Sequence, residues 1–535
     1  MPRYPQRDAE LFRLQEKQKK CQAERKALAI RIEELDREIA EVQAEYGAVY
    51  NEPAPFLTLS TEVTCLIFDF MVAAGFITTG ETLTDQDKRQ FLSEVIVSQV
   101  CRQWRSISLA YPALWTHFCH DGPRASRVPL DRFDAYLERS ASQPLELWFD
   151  FRGSADREWT LDGQLALFQR SIPAIARWKC FTVLSDPTTP VDTLLSEMAS
   201  LSAQNLEHFV FRPNLEANTD DSSASSIQDF AMKKDLETTV FKNGAPKLKS
   251  LTLDCSSVAY TCLPPLSNIT TLRLEAPYSD SGTIFSWAAF REILSISSLE
   301  NLSLVGPVLE DLDFGFHPVE LITMNSLKHL RFGNLAPLWL PFLRAPLLAT
   351  LIIRKCWMPN IFGYHERLQA EPYAFPALQS LYLLETSAQT LQMAHYFARM
   401  TGLATDIAFS QETDTDSFSS FVLEQDEDLN ETYWTKAVQI TSNSNRVDFH
   451  RIVRFVRARR TNNITLRIIE QNAMSWIDGH SLLPNQYKEL TEICTLEILH
   501  DKNIDNALWK RHWQFGGYRS GRPMEDDSED LFAME

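Results

Sequence analysis

The closest pair of thiols in the chain is Cys255 and Cys262, with six residues between them. A tetrahedral zinc site would need a second such pair or clustered histidines beside it. Neither is present in sequence, so burial as small hydrophobes is the better reading of these two. The nine cysteines are otherwise scattered, with no Cys-x-x-Cys. That odd count, behind a start (MPRYPQRDAELFR) that lacks an apolar signal region, predicts reduced thiols in the cytoplasm or nucleus. There is no Gly-rich phosphate loop, no His-Glu-x-x-His and no Gly-x-Ser-x-Gly. Eleven histidines and 71 acidic residues allow a triad to meet in space, but nothing in the sequence singles one out. The expectation is a non-catalytic protein with no metal and no cofactor.

Bulk charge narrows the partners. Acidic side chains outnumber basic ones 71 to 52, a net charge of -19, and that sign repels phosphate backbones. No nucleic-acid partner is expected. The most apolar stretch, "CLIFDFMVAAGFI" (65–77), is too short to span a bilayer and carries Asp69, so no membrane partner is expected either. The chemistry left to this chain is that of protein surfaces, which must be held by regular elements.

The clearest such elements are repeats. Leu-x-x-Leu-x-Leu recurs as "LKSLTL" (248–253), "ITTLRL" (269–274), "LENLSL" (299–304), "LKHLRF" (327–332), "LATLII" (348–353) and "LQSLYL" (378–383). "LEHFVF" (206–211) fits one step upstream, and weaker copies follow at "ATDIAF" (404–409), "NITLRI" (463–468) and "ICTLEI" (493–498). Periods of 21 to 30 residues between the starts at 248, 269, 299, 327, 348 and 378 predict units of strand, loop and helix. Such units stack because none can bury its own apolar face. "FHRIVRFVRARR" (449–460) reads as an outer helix with Ile452, Val453 and Val456 inward and its arginines solvated. The array looks like a leucine-rich-repeat solenoid without the usual asparagine ladder. Ser256, Pro277, Pro307, Leu335, Cys356 and Thr386 occupy that site.

Alternation along each strand puts Lys249, Thr252, Arg273, Ser303, Lys328, His329, Arg331, Ile352, Arg354 and Tyr382 on the concave surface of such an array. Asp254, Glu275 and Glu300 oppose the cations. Two readings stand: a mildly basic groove for an acidic or phosphorylated segment, or chance placement of solvated charges. The residues named for target binding are Arg273, Lys328, Arg331, Arg354 and Tyr382.

Ahead of the array, Leu14, Cys21, Leu28, Leu35 and Val42 fall at one heptad position and Leu11, Ile32, Ile39 and Tyr46 at the other, interrupted by Gln18 and Arg25. This predicts one long helix, ended at Gly47 and "NEPAP" (51–55), that either pairs with a copy of itself or folds back on the body. Next, "LTLSTEVTCLIFDFM" (57–71) reads as a capped helix whose face is Val63, Leu66, Ile67 and Phe70. "VCRQWRSISLAYPALW" (100–115) belongs to a second helix carrying Val97, Val100, Cys101, Trp104, Ile107 and Tyr111, stopped by Pro112 with Leu114 and Trp115 tucked behind.

These two stretches resemble the F-box, in particular the F-box-like domain of large fungal protein families. Leu59, Glu62, Val63, Ile67 and Phe68 match its first half. Val100, Cys101, Arg102, Trp104, Arg105, Pro112, Leu114 and Trp115 match its second. Ser60 stands where the pattern has Pro, and Thr64 where it has Leu. "FDAYLERSASQPLELWFDF" (133–151) and "IPAIARWKCFTVL" (residues 172–184) are similar to the linking region of these proteins.

The resemblance implies an α/β chain with a heptad helix (1–50), a small helical F-box (56–120), a linking region (121–200), an irregular solenoid of parallel strands and outer helices (201–500) and an acidic tail (501–535). It implies the substrate receptor of an SCF-type (Skp-cullin-F-box) ubiquitin ligase. Leu59, Val63, Ile67, Phe68 and Val100 would contact the Skp-family adaptor, and through it a cullin. The solenoid would hold an unknown protein target. The alternative is a ligase-independent interaction scaffold that self-associates through the heptad helix.

Overall fold

The computed structural model describes residues 5–51, 55–77, 93–121, 130–151, 161–185, 189, 191–213, 236–254, 262–275, 285–306, 308–309, 321–334, 337–358, 374–388, 390–411, 433–444, 449–459, 464–469, 484–500 and 504–510. Residues 78–90, 218–226, 412–431 and, within the expected acidic tail, 523–535 lie outside them. The chain is mixed α/β and divides into two compact units: Met1–Gly75 with Thr84–Ala110, and Phe76–Leu83 with Tyr111–Glu535.

The first unit is helical. Helix α1 (Pro5–Asn51) has 47 residues. It runs through Gly47, correcting that part of the expected stop, and ends at Asn51, the first residue of "NEPAP". One glycine costs only about 1 kcal/mol in a helix interior, too little to end so long a run. Glu16–Lys19 (3.1 Å) and Arg31–Glu34 (2.9 Å) pair one turn apart along it. Helix α2 (Thr61–Ile77) starts at Ser60, whose Oγ accepts from the Val63 amide at 3.4 Å. The expected single second helix is two, α3 (Ser93–Val100) and α4 (Arg102–Ala110). Cys101 makes the break: its Sγ accepts from the Trp104 amide at 3.4 Å, a cap that opens a new helix.

The second unit is one 14-stranded parallel sheet whose strands follow chain order without a crossing. Its strands are β1 (His117–Asp121), β2 (Leu145–Asp150), β3 (Trp178–Ser185), β4 (His208–Pro213), β5 (Ser250–Asp254), β6 (Thr271–Glu275) and β7 (Asn301–Val305). After the two-residue β8 (Ile322–Thr323) come β9 (His329–Gly333) and, past β10 (Leu343–Arg344), β11 (Thr350–Arg354). Then β12 (Trp357–Met358) precedes β13 (Ser380–Leu384), and β14 (Ser387–Ala388) precedes β15 (Asp406–Gln411). The sheet closes with β16 (Gln439–Ser444), β17 (Thr465–Ile469) and β18 (Thr495–Leu499). β8 with β10 and β12 with β14 form two separate two-stranded ribbons. Sequential parallel order is the arrangement of stacked repeats, each pairing only with its neighbours.

The sheet begins earlier than the Leu-x-x-Leu-x-Leu template shows. β1, β2 and β3 lie in or at the border of the stretch 121–200 expected to be a linker, and they belong to the same sheet. Their buried positions mix Phe118, Phe149 and Phe181 with Leu145, Leu147 and Val183, without the Leu-x-x-Leu-x-Leu spacing, so the template misses them. These side chains stack through Phe149 and Phe181 (5.6 Å) and on to Phe209 of β4 (6.2 Å). The tuck Pro112–Trp115 also belongs to this unit rather than to the helical one, with Trp115 edge-on to Tyr136 at 5.2 Å.

Helices α5 (Leu130–Arg139), α6 (Leu161–Ser171) and α7 (Val191–Met198) follow β1, β2 and β3. α8 (Trp287–Leu294) and α9 (Leu391–Met400) start on side-chain caps, Ser286 and Thr390, each accepting an amide at 3.2 Å. The leucine rows of the strands are buried against such helices. Phe332 of β9 meets Trp339, which meets Phe290 of α8, both at 5.6 Å. Phe409 of β15 meets Phe455 of α10 (Phe449–Arg457) at 6.2 Å, and α11 (Pro484–Ile493) precedes β18. Ile452, Val453 and Val456 are buried, and Arg454 and Arg457 exposed. Arg459 departs from the solvated expectation: it is buried and donates to the Tyr433 carbonyl at 2.9 Å, and burial lowers its pKa to about 9.

One left-handed residue follows each of four strands: Gly306, Asn334, Lys355 and Glu385, with φ of 80°, 52°, 47° and 52°. The chain thus turns the same corner after β7, β9, β11 and β13. Beside two of these corners, Cys356 and Thr386 take up the work of the missing asparagine ladder. The Cys356 thiol donates to the Arg354 carbonyl (3.2 Å), and the Thr386 hydroxyl reaches the carbonyls of Ile353 (3.3 Å) and Leu384 (3.1 Å). Ser256, Pro277, Pro307 and Leu335 lie outside the described residues.

Candidate functional site

In the helical unit the buried stripe of α2 is Thr64 and Phe68, one turn apart. Phe68 meets Trp104 of α4 edge-on at 5.1 Å, and Phe56 meets the same ring at 6.0 Å. Most of the apolar face read from the sequence is turned outward. Val63 is 42%, Leu66 57% and Phe70 74% exposed, and on α3 Ile96 is 44% and Val100 51% exposed. Of the five expected adaptor contacts, Val63 and Val100 are open and Leu59 and Ile67 half-buried. Phe68 is fully buried, which corrects its assignment: its ring holds α2 to α4 and is not a surface group. Exposed aliphatic and aromatic groups of this size on α2 and α3 mark candidates for contact with another apolar surface.

Both departures from the F-box pattern sit at the start of α2. Thr64 is buried and its hydroxyl donates to the Ser60 carbonyl at 3.0 Å. Its change from leucine therefore bears on packing inside the unit, not on the outward face. Glu62 beside them is fully exposed, and backbone and Ser60 hydrogen bonds hold its carboxyl below the usual range.

In the sheet unit the register aligns Thr252, Arg273, Ser303, Arg331, Ile352, Tyr382, Ala408 and Thr441 in one row across β5 to β16. This is the face away from the leucine rows. The expected open groove is not there: every member of the row is buried. Over its middle lies α12 (Ile504–Lys510), within the stretch 501–535 expected to be an acidic tail. Its Leu508 and Trp509 are buried in one cluster with Val305, Ile352, Tyr382, Leu384 and Ala408, and Ile504 packs against it.

Polar groups fix this helix at both ends. The Arg331 guanidinium lies 4.8 Å from the Trp509 ring centre, donates to the Trp509 carbonyl (3.3 Å) and donates to Ser303 Oγ (2.8 Å). Asn443 of β16 donates to the Asp505 carboxylate at 3.1 Å. The Tyr382 hydroxyl donates to Asp406 at 2.8 Å.

The other expected target contacts are also engaged. Arg354 is buried 3.4 Å from Glu385, and Lys328 pairs with Glu300 at 2.9 Å. Lys328 precedes β9, is exposed at the border of the sheet and so does not share the buried row. Arg273 is buried in that row. A mildly basic open groove is thus replaced by an apolar seat with one cation, Arg331, under an aromatic ring. Sequence reasoning missed α12 because seven residues with two or three apolar positions carry no periodic signal. Its one trace is the i, i+4 pair Ile504 and Leu508 followed by Trp509.

A third polar group lies at the first strands. Glu146 is buried 2.8 Å from the His117 ring and 3.3 Å from Lys179. Burial alone would raise its carboxyl, but His117 and Lys179 outweigh it and hold it below the usual range. Burial pushes the neighbouring Cys180 thiol far up, which disfavours the nucleophilic thiolate.

No described helix is long and apolar enough to cross a membrane. No protein-family model matches the chain, and no curated protein matches it.

Proposed function

We propose that the chain is a non-catalytic substrate receptor of an SCF-type ubiquitin ligase, acting in the cytoplasm or nucleus. In this reading the helical unit is an F-box-like module that docks a Skp-family adaptor. The sheet unit is a leucine-rich-repeat-like solenoid that holds a protein target. The observation that carries it is the outward apolar face of α2 and α3, on the same residues that resemble the F-box: Val63 and Val100 with Leu66, Phe70 and Ile96 beside them in sequence. Sequential parallel strands and the Cys356 and Thr386 bonds support the solenoid reading. Such a receptor breaks no bond itself. It raises effective concentration, so that a target lysine meets a charged ubiquitin carrier almost intramolecularly.

The test is co-expression of the full chain with a Skp-family adaptor, followed by size-exclusion chromatography. Co-elution that Val63→Asp abolishes is the expected result. Separate elution of two well-folded proteins would overturn the reading.

A second reading, a ligase-independent scaffold, rests on α1. Its whole stripe is exposed, from Leu11, Leu14 and Leu28 through Ile32, Leu35, Ile39 and Val42 to Tyr46. Ile32 and Ile39 at one heptad position with Leu28 and Leu35 at the other is the combination that favours a parallel two-stranded coil. A stable dimer with no adaptor capture would favour this reading.

A further inference from the structure

Helix α12 has the features of a ligand that happens to be covalently attached. Seven residues cannot hold a helix alone in water, so its shape is induced by its seat. It crosses the strands rather than following them, from Asn443 in β16 at its first turn to Arg331 in β9 at its last. The seat is chemically selective. An apolar floor of Val305, Ile352 and Ala408 takes the leucine and the indole. The guanidinium of Arg331 faces the ring and binds the carbonyl of the same residue. The Asn443 amide takes a carboxylate one turn earlier. These are the anchors of helix-in-groove recognition, in which a few side chains four residues apart fill pockets and polar groups set the direction.

We propose that this face of the sheet is a peptide seat for short helical segments of the pattern Ile-Asp-x-x-Leu-Trp, held closed by α12 and opened when a target segment of the same chemistry displaces it. The proposal rests on the reading of the sheet unit as the target-binding part. It adds the class of segment bound and a built-in competitor. Tethering gives α12 a high local concentration, so only a segment that binds well, or is presented at high local concentration itself, takes its place.

Two measurements on the full chain test this. The first is amide hydrogen exchange of the wild-type protein. A displaceable α12 exchanges at least about a hundredfold faster than the strand amides of β11 and β13, through openings that leave the sheet intact. Exchange of α12 only together with those strands would make it permanent core and overturn the proposal.

The second uses a fluorescein-labelled synthetic peptide spanning residues 500–512 and the full-length Leu508→Asp/Trp509→Asp variant. With the variant's sheet shown to be folded by circular dichroism, the peptide should bind it at least about tenfold more tightly than it binds wild type. Replacing the peptide's Trp509 by Ala should cost about tenfold or more of that binding. A folded variant that ignores the peptide overturns the seat. Neither measurement involves the adaptor. Peptide binding without adaptor capture would therefore keep the seat and sink the ligase reading, and adaptor capture without peptide binding would do the reverse.

Discussion

Arg331 and Trp509 stand 178 residues apart in the chain, yet the guanidinium lies 4.8 Å from the centre of the indole ring and donates to the carbonyl of the same residue at 3.3 Å. A desolvated cation facing an aromatic ring adds about 2 kcal/mol beyond the area buried. Arg331→Ala and Trp509→Ala, made singly and together, should show a coupling of about 1–2 kcal/mol in urea unfolding of the sheet unit. Strict additivity would mean that the two groups are neighbours without being partners.

Phe68 and Val63 lie on the same helix and should answer mutation oppositely. Phe68 is fully buried against Trp104, so Phe68→Ala should cost about 3–5 kcal/mol and lower the melting temperature of the helical unit. Val63→Asp puts a carboxylate on an exposed position of the first turn, where the helix dipole tolerates it. Thermal unfolding should move by less than about 0.5 kcal/mol, while adaptor capture is lost.

Ser60 and Thr64 bear on stability more than on docking. Ser60→Ala removes the side-chain cap of α2 and should cost about 0.5–1 kcal/mol, the low end of such losses because the 3.4 Å bond is long. Thr64→Leu changes a buried group and should leave adaptor capture as it was. A marked gain in capture would place residue 64 among the contacts after all.

His120 should make the sheet unit sensitive to mild acid. Burial lowers its imidazole to about 4, and the Arg132 guanidinium pushes the same way. The folded state therefore prefers the neutral ring, while the unfolded chain takes up a proton near the ordinary histidine value. This group's stabilisation is complete above about pH 6.5 and is lost progressively as pH falls toward 4, at about 1.4 kcal/mol per unit. His120→Phe should flatten that part of a stability profile measured by urea unfolding. Glu146, with its carboxyl held low, adds its own loss as pH falls below the ordinary glutamate value of about 4.3, so the two windows meet near pH 4.

Lys355 holds a left-handed corner that suits glycine, with φ of 47°. Lys355→Gly should raise stability by about 0.5–1 kcal/mol. One partner lost is Glu385 at 3.8 Å, a carboxylate that keeps Arg354 at 3.4 Å. A fall in melting temperature would show that the pair matters more than the strain.

The leucine template found the strands from β5 to β13 because each unit buries two aliphatic side chains on one face and leaves the others to alternate. It passed over β1 to β3, where phenylalanines share the buried positions with leucine and valine off the template's spacing, and β16, whose "QITSNS" offers a single aliphatic residue. α2 shows the limit of periodicity. Val63, Leu66, Ile67 and Phe70 have core spacing, but spacing states only that a face is apolar, not what covers it. Among the described residues Phe68 turns inward to Trp104, and Val63, Leu66 and Phe70 stay exposed. The buried row of the sheet was placed by alternation, while its occupant, a seven-residue helix encoded beyond the last strand, left no pattern to find.

The position of α12 also sets an order of events during synthesis. Sheet units that pair only with their neighbours can form as they leave the ribosome, and Arg331 reaches its place long before residue 509 exists. At about 5–20 residues per second, the intervening chain takes roughly 10–35 s to make. Ile352, Tyr382 and Ala408 follow within that interval, and from Ala408 to Trp509, roughly 5–20 s, all three lie without α12 over them. Nascent chains and finished ones thus present different faces to the same surroundings, and a chaperone or an early target meets the first of them.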